Sequence, residues 1–341
     1  MDAGSSSHGS GEGPVHQAPS PRPPPCSWVY ALCEMDIDAP AVAQRIQEFI
    51  RRQMIAFRRD GAALGISGGI DSSVVATLLT RALGPERVLA LVLPERDSSP
   101  RSKADALREI ERLGLPHREV DLTPVLEALG VYGLFRLDVL VARRVKEGAV
   151  RWRHRSQTGA AGETPFRSGI LGTRGLGKDQ RTVDKGLAYA RVKPRARMLA
   201  LYYVAEQENR LVAGTTNRSE AMTGFVAKWG DSAADIEPIL PLYKSQVRQL
   251  AAYLEVPDEI VRKAPSPDVL PGIVDEMALG IDYETLDRIL EGLDRGWDAA
   301  QVAAQCAAPE AQVRDVEELV RRSRHLRELP PSPDLGGEGL R

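Results

Sequence analysis

A short segment rich in glycine and serine, between an apolar run and an amphipathic run, carries the clearest chemical signal in the sequence. The segment extends from Leu64 to Ser73 and reads LGISGGIDSS. Its adjacent glycines, Gly68 and Gly69, allow a tight turn whose N–H groups approach a ligand without interference from a Cβ atom. The first turn of a following helix supplies further N–H donors, and these favour a phosphate. Asp71 would repel a phosphate unless Mg²⁺ lies between the two, so we predict a polyphosphate site with magnesium.

Phosphate-binding loops differ in the residues that close the turn. No Lys-Ser or Lys-Thr pair follows the glycines, which excludes a Walker-type loop, and no further glycine stands where a dinucleotide-binding turn needs one for helix packing. The pattern Ser-Gly-Gly-x-Asp-Ser is typical of the ATP-pyrophosphatase loop, which binds the pyrophosphate of ATP and leaves the α-phosphorus open to attack. A glycine-rich turn without a ligand is the alternative. We predict that ATP is bound by Gly65, Ser67, Gly68, Gly69, Asp71 and Ser72.

Short apolar runs alternate with amphipathic segments around this loop. Because strands separated by helices of about ten to fifteen residues form βαβ units, the pattern predicts an α/β fold, a doubly wound parallel sheet with flanking helices. Right-handed crossovers place the loop at the carboxyl edge of the sheet, where ligands bind. The predicted strands are 62–66, 88–93, 117–122 and 211–213, and the predicted helices are 72–83, 102–113, 196–208 and 244–254, after a first helix that begins near residue 38.

Composition and charge limit the classes of protein to which this chain can belong. The chain has 341 residues, 43% of them apolar and 27% charged, which is typical of a globular protein with one large domain or two small ones. Lys and Arg number 45 against 47 Asp and Glu, so the net charge of −2 does not favour nucleic acid as a partner. Three cysteines are too few for a disulfide framework. The sequence has neither a long apolar run nor a signal-like N-terminus, so we expect a cytoplasmic protein without a membrane segment.

Some regions differ from the predicted core in composition. Residues 1–35 are rich in Pro, Ser and Gly, so we predict a disordered tail, and the C-terminus, 331–341, is predicted to be flexible. Residues 131–188 contain twelve Lys or Arg against five Asp or Glu, with many glycines and no steady periodicity. They are interpreted as a basic, glycine-rich surface insertion, and a lid over an anionic substrate is the alternative. The insertion divides the domain into parts at 36–130 and 189–330.

Motifs later in the chain, taken together with the loop, match the pattern of one enzyme family. They are KPRARM at 193–198, GTTNRSE at 214–220, KWGD at 228–231, DIEPI at 235–239 and LYKSQVR at 242–248. With these motifs the sequence resembles the NAD synthetase family over about 40–130 and 190–330. The resemblance implies an adenine nucleotide alpha hydrolase-like fold, a homodimer, and a carbon–nitrogen ligase. Such a ligase adenylates deamido-NAD with ATP, admits ammonia, and releases NAD, AMP and pyrophosphate.

The resemblance also assigns roles to individual positions. The carboxylates expected to hold Mg²⁺ are Asp71 and Glu220, and the expected catalytic set is completed by Lys244. Further contacts to ATP are expected from Arg195, Thr215, Lys244 and Ser266. Contacts to deamido-NAD are expected from Lys228, Asp235, Asp275, Glu276 and His325. Because the sequence has no room for an attached glutaminase domain, we expect free ammonia or a separate glutaminase as the nitrogen source.

Several positions on the acceptor side depart from the family pattern. Leu326 stands where a Lys is usual, and Ile273 and Val274 stand where Gln and Thr are usual. Since the missing lysine removes a charge that binds phosphate, an amide ligase acting on a different carboxylic acid is an open alternative. The same loop occurs in enzymes that modify tRNA, for which the basic insertion is the candidate surface. An ATP-binding regulator without catalysis is a further alternative.

Overall fold

The computed structural model describes residues 35–135, 143–158, 164–171 and 180–333. The predicted tail therefore lies outside the described residues except for its last position. The predicted insertion and the predicted C-terminal segment are described only in part. Within the described ranges, no helix has the length and apolar character that crossing a membrane requires.

Four parallel strands form the central sheet in the order β3-β2-β1-β4. Their bounds are β1 Gly61–Gly65, β2 Val88–Val92, β3 His117–Glu119 and β4 Arg210–Val212. The two inner strands consist of buried small and apolar residues, as expected for a parallel sheet that is covered on both faces. In register, Ala62 lies between Val88 and Leu211. The predicted doubly wound α/β fold is confirmed, although the third strand is shorter than the predicted 117–122.

Helices cover both faces of the sheet, and alternate residues of β1 point to opposite cores. Ala62 and Leu64 face a core that includes Val74 of the first βα unit, and Ala63 faces a core that includes Leu89. The helices are α1 Ala39–Phe57, α2 Ile70–Leu83, α3 Pro100–Leu113, α4 Thr123–Ala128, α5 Arg143–Gln157, α6 Pro165–Leu171, α7 Gln180–Gln207, α8 Arg218–Thr223, α9 Lys244–Tyr253, α10 Asp258–Val261, α11 Asp275–Leu279, α12 Tyr283–Asp294, α13 Ala299–Cys306 and α14 Glu310–Arg327.

The last three helices pack on one another beside the sheet domain. Leu286 and Ile289 of α12, Val302 of α13 and Val313 of α14 are fully buried in a third apolar cluster. Helix α14 also contacts α6 and α8. These helices therefore support α8 by packing against it. Helix α8 carries one of the predicted magnesium ligands.

The described part of the predicted insertion is helical. It contains α5, α6 and the start of α7, which begins well before the predicted position 196 and continues through Pro194. Tyr189 of α7 is fully buried, with its ring edge-on to those of Tyr132 and Phe135. None of the residues of α5 is buried. Segment 131–188 therefore contributes to the second core as well as to the surface.

Candidate active site

The phosphate loop connects β1 to α2 at the carboxyl edge of the sheet. Hydrogen bonds between its own residues fix its shape: the hydroxyl oxygens of Ser67 and Ser72 lie 3.1 Å apart, and the N–H of Gly69 donates to Ser67 Oγ at 3.2 Å. Gly68 has a φ of +70°, and a Cβ atom there would lie 2.4 Å from the carbonyl oxygen of Ser102. Glycine is therefore required at position 68 both by the left-handed backbone and by the close approach of α3.

Asp71 lies in the first turn of α2 and contacts residues from two other elements. Lys244, the first residue of α9, donates from Nζ to Asp71 Oδ2 at 2.5 Å and to Glu220 Oε1 at 3.4 Å. The side-chain amide of Asn217 donates to Asp71 Oδ1 at 3.0 Å. Asn217 also caps α8 by accepting the N–H of Glu220 at 3.0 Å, so the cap places both carboxylates. Three motifs that are far apart in the sequence thus meet at the Lys244 ammonium.

Carboxylates outnumber cations around Lys244, whose side chain is 1% exposed. Burial alone would lower the pKa of Lys244, but the charges of Asp71, Glu220 and Asp275 raise it above its usual value. Burial raises the pKa of Glu220 well above its usual value and raises the pKa of Asp275 to about 6. Asp275 Oδ2 accepts the hydroxyl of Tyr283 at 3.0 Å, whereas Oδ1 has no partner in the described part of the chain. We refer to Lys244, Asp71, Glu220 and Asp275 as the open cluster.

The open cluster has the donor chemistry that Mg²⁺ requires. This ion takes oxygen ligands, and proteins usually hold it by one or two carboxylates together with substrate phosphates and water. Asp71 and Glu220 supply two such carboxylates beside the phosphate loop. Within the described residues, no group of three or more His, Cys, Asp or Glu forms a complete metal site. The oxygen donors of Asp71 and Glu220 therefore fit a magnesium ion in type and number.

A cavity opens at the carboxyl ends of β1, β2 and β4. The phosphate loop and the open cluster supply part of its polar lining, and Leu91, Val92 and Leu201 supply part of its apolar lining. Ten of the predicted site residues line it, namely Gly65, Ser67, Gly69, Asp71, Ser72, Thr215, Glu220, Lys244, Ser266 and Asp275. Gly68 lies behind the lining and sets the shape of the loop.

Three residues that were predicted to contact a ligand lie outside this lining. They are Arg195, Lys228 and His325, and they contact one another or neighbouring residues. Arg195 Nε donates to the carbonyl of Lys228 at 3.1 Å. The Lys228 ammonium donates to the carbonyl of His325 at 2.6 Å and to that of Glu328 at 3.0 Å. His325 is exposed, and its Nδ1 lies 2.9 Å from the carbonyl of Arg322 in its own helix. Together these contacts attach the C-terminal end of α14 to the KWGD motif.

Two further predicted substrate residues also lie outside the lining of the described cavity. Asp235 accepts the N–H of Val212 at 2.8 Å and the hydroxyl of Tyr202 at 3.2 Å, so it anchors the end of β4. Glu276 accepts the N–H of Tyr283 at 3.3 Å and thereby links α11 to α12.

Three cations that the sequence did not single out line the cavity, namely Lys103, Arg197 and Lys263. Lys263 Nζ donates to the carbonyl of Gly68 at 3.1 Å and to Asp105 Oδ2 at 2.8 Å, so it braces the phosphate loop. Arg197 belongs to the KPRARM motif, which is the signal that could have identified it. Lys263 precedes the Pro265-Ser266 pair but has no local pattern of its own, and only the fold shows its position.

Comparisons with known proteins agree with this geometry. The model of the NAD synthase family matches residues 42–174 and 173–330, so it covers the whole of segment 131–188, which the sequence resemblance left out. An NH(3)-dependent NAD(+) synthetase of Thermotoga maritima is 44% identical over 279 residues, which are 80% of this chain and 94% of that protein.

Two solved structures share the fold. The NMN synthetase from Francisella tularensis has a TM-score of 0.63 and 29% identity, with 88% of this chain and all of that chain covered. The NAD+ synthetase from Burkholderia pseudomallei has a TM-score of 0.57 and 27% identity, with 87% and 93% covered. The phosphate loop, the open cluster and these matches agree, and the chain belongs to the NAD synthase family.

Proposed function

We propose that this protein is an ammonia-dependent NAD synthetase. The carboxylate of deamido-NAD attacks the α-phosphorus of ATP, a P–O bond forms, and pyrophosphate leaves. Ammonia then attacks the acyl carbon of the adenylate, loses a proton, and displaces AMP to give the amide of NAD. The observation that carries the proposal is the convergence of Asp71 and Glu220 on the ammonium of Lys244 beside the phosphate loop, in a chain of this family.

The residues of the open cluster have distinct tasks in this scheme. The backbone N–H groups of the phosphate loop and the hydroxyls of Ser67 and Ser72 bind the pyrophosphate portion of ATP. Lys244 stabilises the negative charge that develops on the leaving pyrophosphate. Asp71 and Glu220 would hold Mg²⁺, which supplies charge neutralisation when bound. Because no side-chain nucleophile is required, most of the rate arises from positioning the two substrates, an effect that supplies roughly 7–11 kcal/mol in well-oriented systems.

The nucleotide half of the cavity is better supported than the acceptor half. Thr215 and Ser266 line the cavity, as the proposed ATP contacts require, and Asp275 is the one predicted acceptor residue that also lines it. All assignments of residues to ligands remain predictions, and five of these residues lie outside the cavity lining, namely Arg195, Lys228, Asp235, Glu276 and His325. A homodimer and a cytoplasmic location also remain predictions.

A second acceptor deserves a direct test, because one structural relative is an NMN synthetase. That activity produces a mononucleotide amide in place of a dinucleotide amide. In this chain Leu326 packs beside Gly224, with its Cδ1 2.9 Å from a Cβ built there, so an apolar side chain occupies the position where the family usually has a lysine. A smaller acid such as nicotinic acid mononucleotide is therefore the competing substrate.

The deciding experiment measures release of pyrophosphate with ATP, Mg²⁺ and millimolar ammonia. Deamido-NAD is compared with nicotinic acid mononucleotide and a panel of simple carboxylic acids. We expect turnover of deamido-NAD to exceed the others, and turnover of a different acid alone would replace the proposed acceptor. Asp71→Ala and Glu220→Ala should abolish the release, and full activity in either variant would refute its assigned role. Activity that required added tRNA would instead favour the RNA-modifying alternative.

A further inference from the structure

A second fully buried lysine lies next to the cavity without lining it. Lys193 of α7 is 0% exposed, and its Nζ donates to Glu95 Oε1 at 3.0 Å, to Asp97 Oδ2 at 3.4 Å and to the carbonyl of Val269 at 2.9 Å. Its three acceptors come from two loops that are far from α7 in the sequence. A buried cation with three acceptors at such distances fixes the relative positions of the elements that carry them.

The two acids around Lys193 are completely hydrogen-bonded. Glu95 Oε2 accepts the hydroxyl of Tyr132 at 2.8 Å, and the N–H of Asp97 donates to it at 3.0 Å. Asp97 Oδ2 also accepts the hydroxyl of Tyr189, and Asp97 Oδ1 accepts Arg96 Nε at 3.3 Å. Every carboxylate oxygen therefore has a donor. We refer to Lys193, Glu95, Asp97, Tyr132 and Tyr189 as the closed cluster.

The closed cluster joins two segments that form walls of the cavity. The first wall segment, 94–99, follows β2 and contributes Pro94, Ser98 and Ser99 to the lining. The second wall segment, 263–269, contributes every residue from Lys263 to Asp268. Lys193 contacts side chains of the first segment and a carbonyl of the second, so it connects the two walls directly.

Other contacts connect the same walls and run parallel to Lys193. The N–H of Ser99 donates to the Asp268 carboxylate at 2.9 Å. Arg197, one helical turn after Lys193, donates to the carbonyls of Pro267 and Asp268 at 3.4 and 3.3 Å. Two cations on one face of α7 thus hold three consecutive carbonyls of the second wall segment. This wall contains Ser266, a proposed contact to ATP, and Lys263, which braces the phosphate loop.

We propose that Lys193 is a positioning residue that holds the two wall segments at the separation that ATP requires. It acts through Val269 and through the acids of the first wall segment, and it touches no substrate. The inference rests on the proposed function only in taking ATP as the ligand of the cavity. Removal of Lys193 should therefore affect ATP affinity more than the rate of the bound complex.

The test compares variants of the full chain. Lys193→Met removes the ammonium, and the double variant Lys193→Met with Glu95→Gln also removes one carboxylate, so that the net charge of the cluster is kept. Arg112→Met is the matched control, because Arg112 pairs with the fully buried Glu109 on α3 at 2.7 Å and neither residue lines the described cavity. The dissociation constant of ATP with Mg²⁺ is measured by calorimetry, KM and kcat by pyrophosphate release, and Tm by thermal unfolding.

We expect Lys193→Met to lower Tm and to weaken ATP binding about tenfold, which corresponds to ~1.4 kcal/mol, with a smaller change in kcat. In the double variant Tm should recover in part while ATP binding stays weak. If Lys193→Met does not fold, ATP binding by the double variant alone tests the positioning role. Arg112→Met should lower Tm with ATP binding unchanged.

Two results would overturn the positioning role. The first is a double variant that binds ATP as the wild type does, and the second is a control variant that loses ATP affinity as Lys193→Met does. A wild-type protein that binds ATP but leaves deamido-NAD unchanged would count against the proposed function and leave the binding comparison intact.

Discussion

The open and closed clusters each bury a lysine among carboxylates, yet they differ in how completely the carboxylate oxygens are hydrogen-bonded. Lys244 of the open cluster faces the cavity, where three carboxylates surround one ammonium and one carboxylate oxygen of Asp275 lacks a partner in the described structure. Lys193 of the closed cluster lies behind the cavity wall, where every carboxylate oxygen accepts a hydrogen bond.

The pKa values of the two lysines show the same difference. Burial lowers the pKa of Lys193, and this effect exceeds the opposing charges of Glu95 and Asp97. Around Lys244 the carboxylates exceed the effect of burial, and the pKa is raised. Buried polar groups in a structural role are normally satisfied, whereas unmatched charge in a cavity is typical of a site that binds a ligand. This difference agrees with the proposed magnesium site in the open cluster and with the proposed positioning role of the closed cluster.

The largest expected effect separates the two lysines by kinetics. Lys244→Met should lower kcat for pyrophosphate release about 10²–10³-fold, because it removes the cation that stabilises the departing pyrophosphate. Lys193→Met should act mainly on KM for ATP. Steady-state kinetics of both variants measure the difference. If Lys244→Met kept more than about a tenth of the wild-type kcat, Lys244 would have no role in the chemical step.

The loop that precedes Asp71 contains two glycines, Gly68 and Gly65, whose substitution by alanine can be compared. Gly68→Ala should lower the free energy of unfolding by about 2–4 kcal/mol, because the left-handed backbone and the 2.4 Å approach to Ser102 both oppose a Cβ atom. Gly65→Ala should have a much smaller effect, since nothing lies within 4 Å of its Cβ position. Urea unfolding measures both. Equal destabilisation by the two substitutions would show that the loop conformation differs from the one described.

The phosphate loop could be predicted from the sequence because its signal is local. Gly68 and Gly69 determine where the backbone turns, the strand before them and the helix after them are readable, and Asp71 follows directly. The partners of Asp71 could be predicted only through the family resemblance, because Glu220 and Lys244 reach it from distant motifs. The fold confirmed the convergence that the loop alone does not show.

The acceptor side and the closed cluster show why the rest could not be predicted. Lys228 donates to carbonyls at the end of α14, about one hundred residues later in the chain, and no periodic pattern indicates such a contact. Glu95 and Lys193 are separated by a similar number of residues in the sequence. Segment 131–188 lies between Glu95 and Lys193 in the sequence, and its basic, weakly apolar sequence did not predict its helices.

Magnesium provides the next contrast between the clusters. In the presence of a non-hydrolysable ATP analogue, addition of millimolar Mg²⁺ should stabilise the wild type by about 1–3 kcal/mol, because the ion binds only the folded protein. Glu220→Gln should lose this gain, and Glu95→Gln, its counterpart in the closed cluster, should keep it. Thermal unfolding with Mg²⁺ and with a chelator measures the difference. Loss of the gain in Glu95→Gln but not in Glu220→Gln would reverse the assignment of the two clusters.

Glu237 extends the comparison to a half-buried carboxylate that forms no ion pair with a lysine in the described part of the chain. Its carboxylate accepts the N–H of Thr216 at 3.0 Å, and burial, with a further contribution from the charge of Asp231, raises its pKa from 4.5 to about 8. Between these two pH values Glu237 is protonated in the folded protein and ionised in the unfolded chain. The unfolded chain then binds fewer protons, so the free energy of unfolding should fall as the pH rises.

The smallest predicted effect follows from this titration. The range from pH 5.5 to 7.5 lies inside this window. Over that range the free energy of unfolding of the wild type should fall by about 1 kcal/mol per pH unit relative to that of Glu237→Gln. Glutamine keeps the acceptor for Thr216 but does not ionise, so the difference between the two proteins isolates Glu237 from all other titrating groups. Urea unfolding at several pH values measures it. Parallel pH profiles of the two proteins would mean that Glu237 ionises in the folded state near its ordinary pKa. In that case a cation near the end of β4 would have to neutralise it.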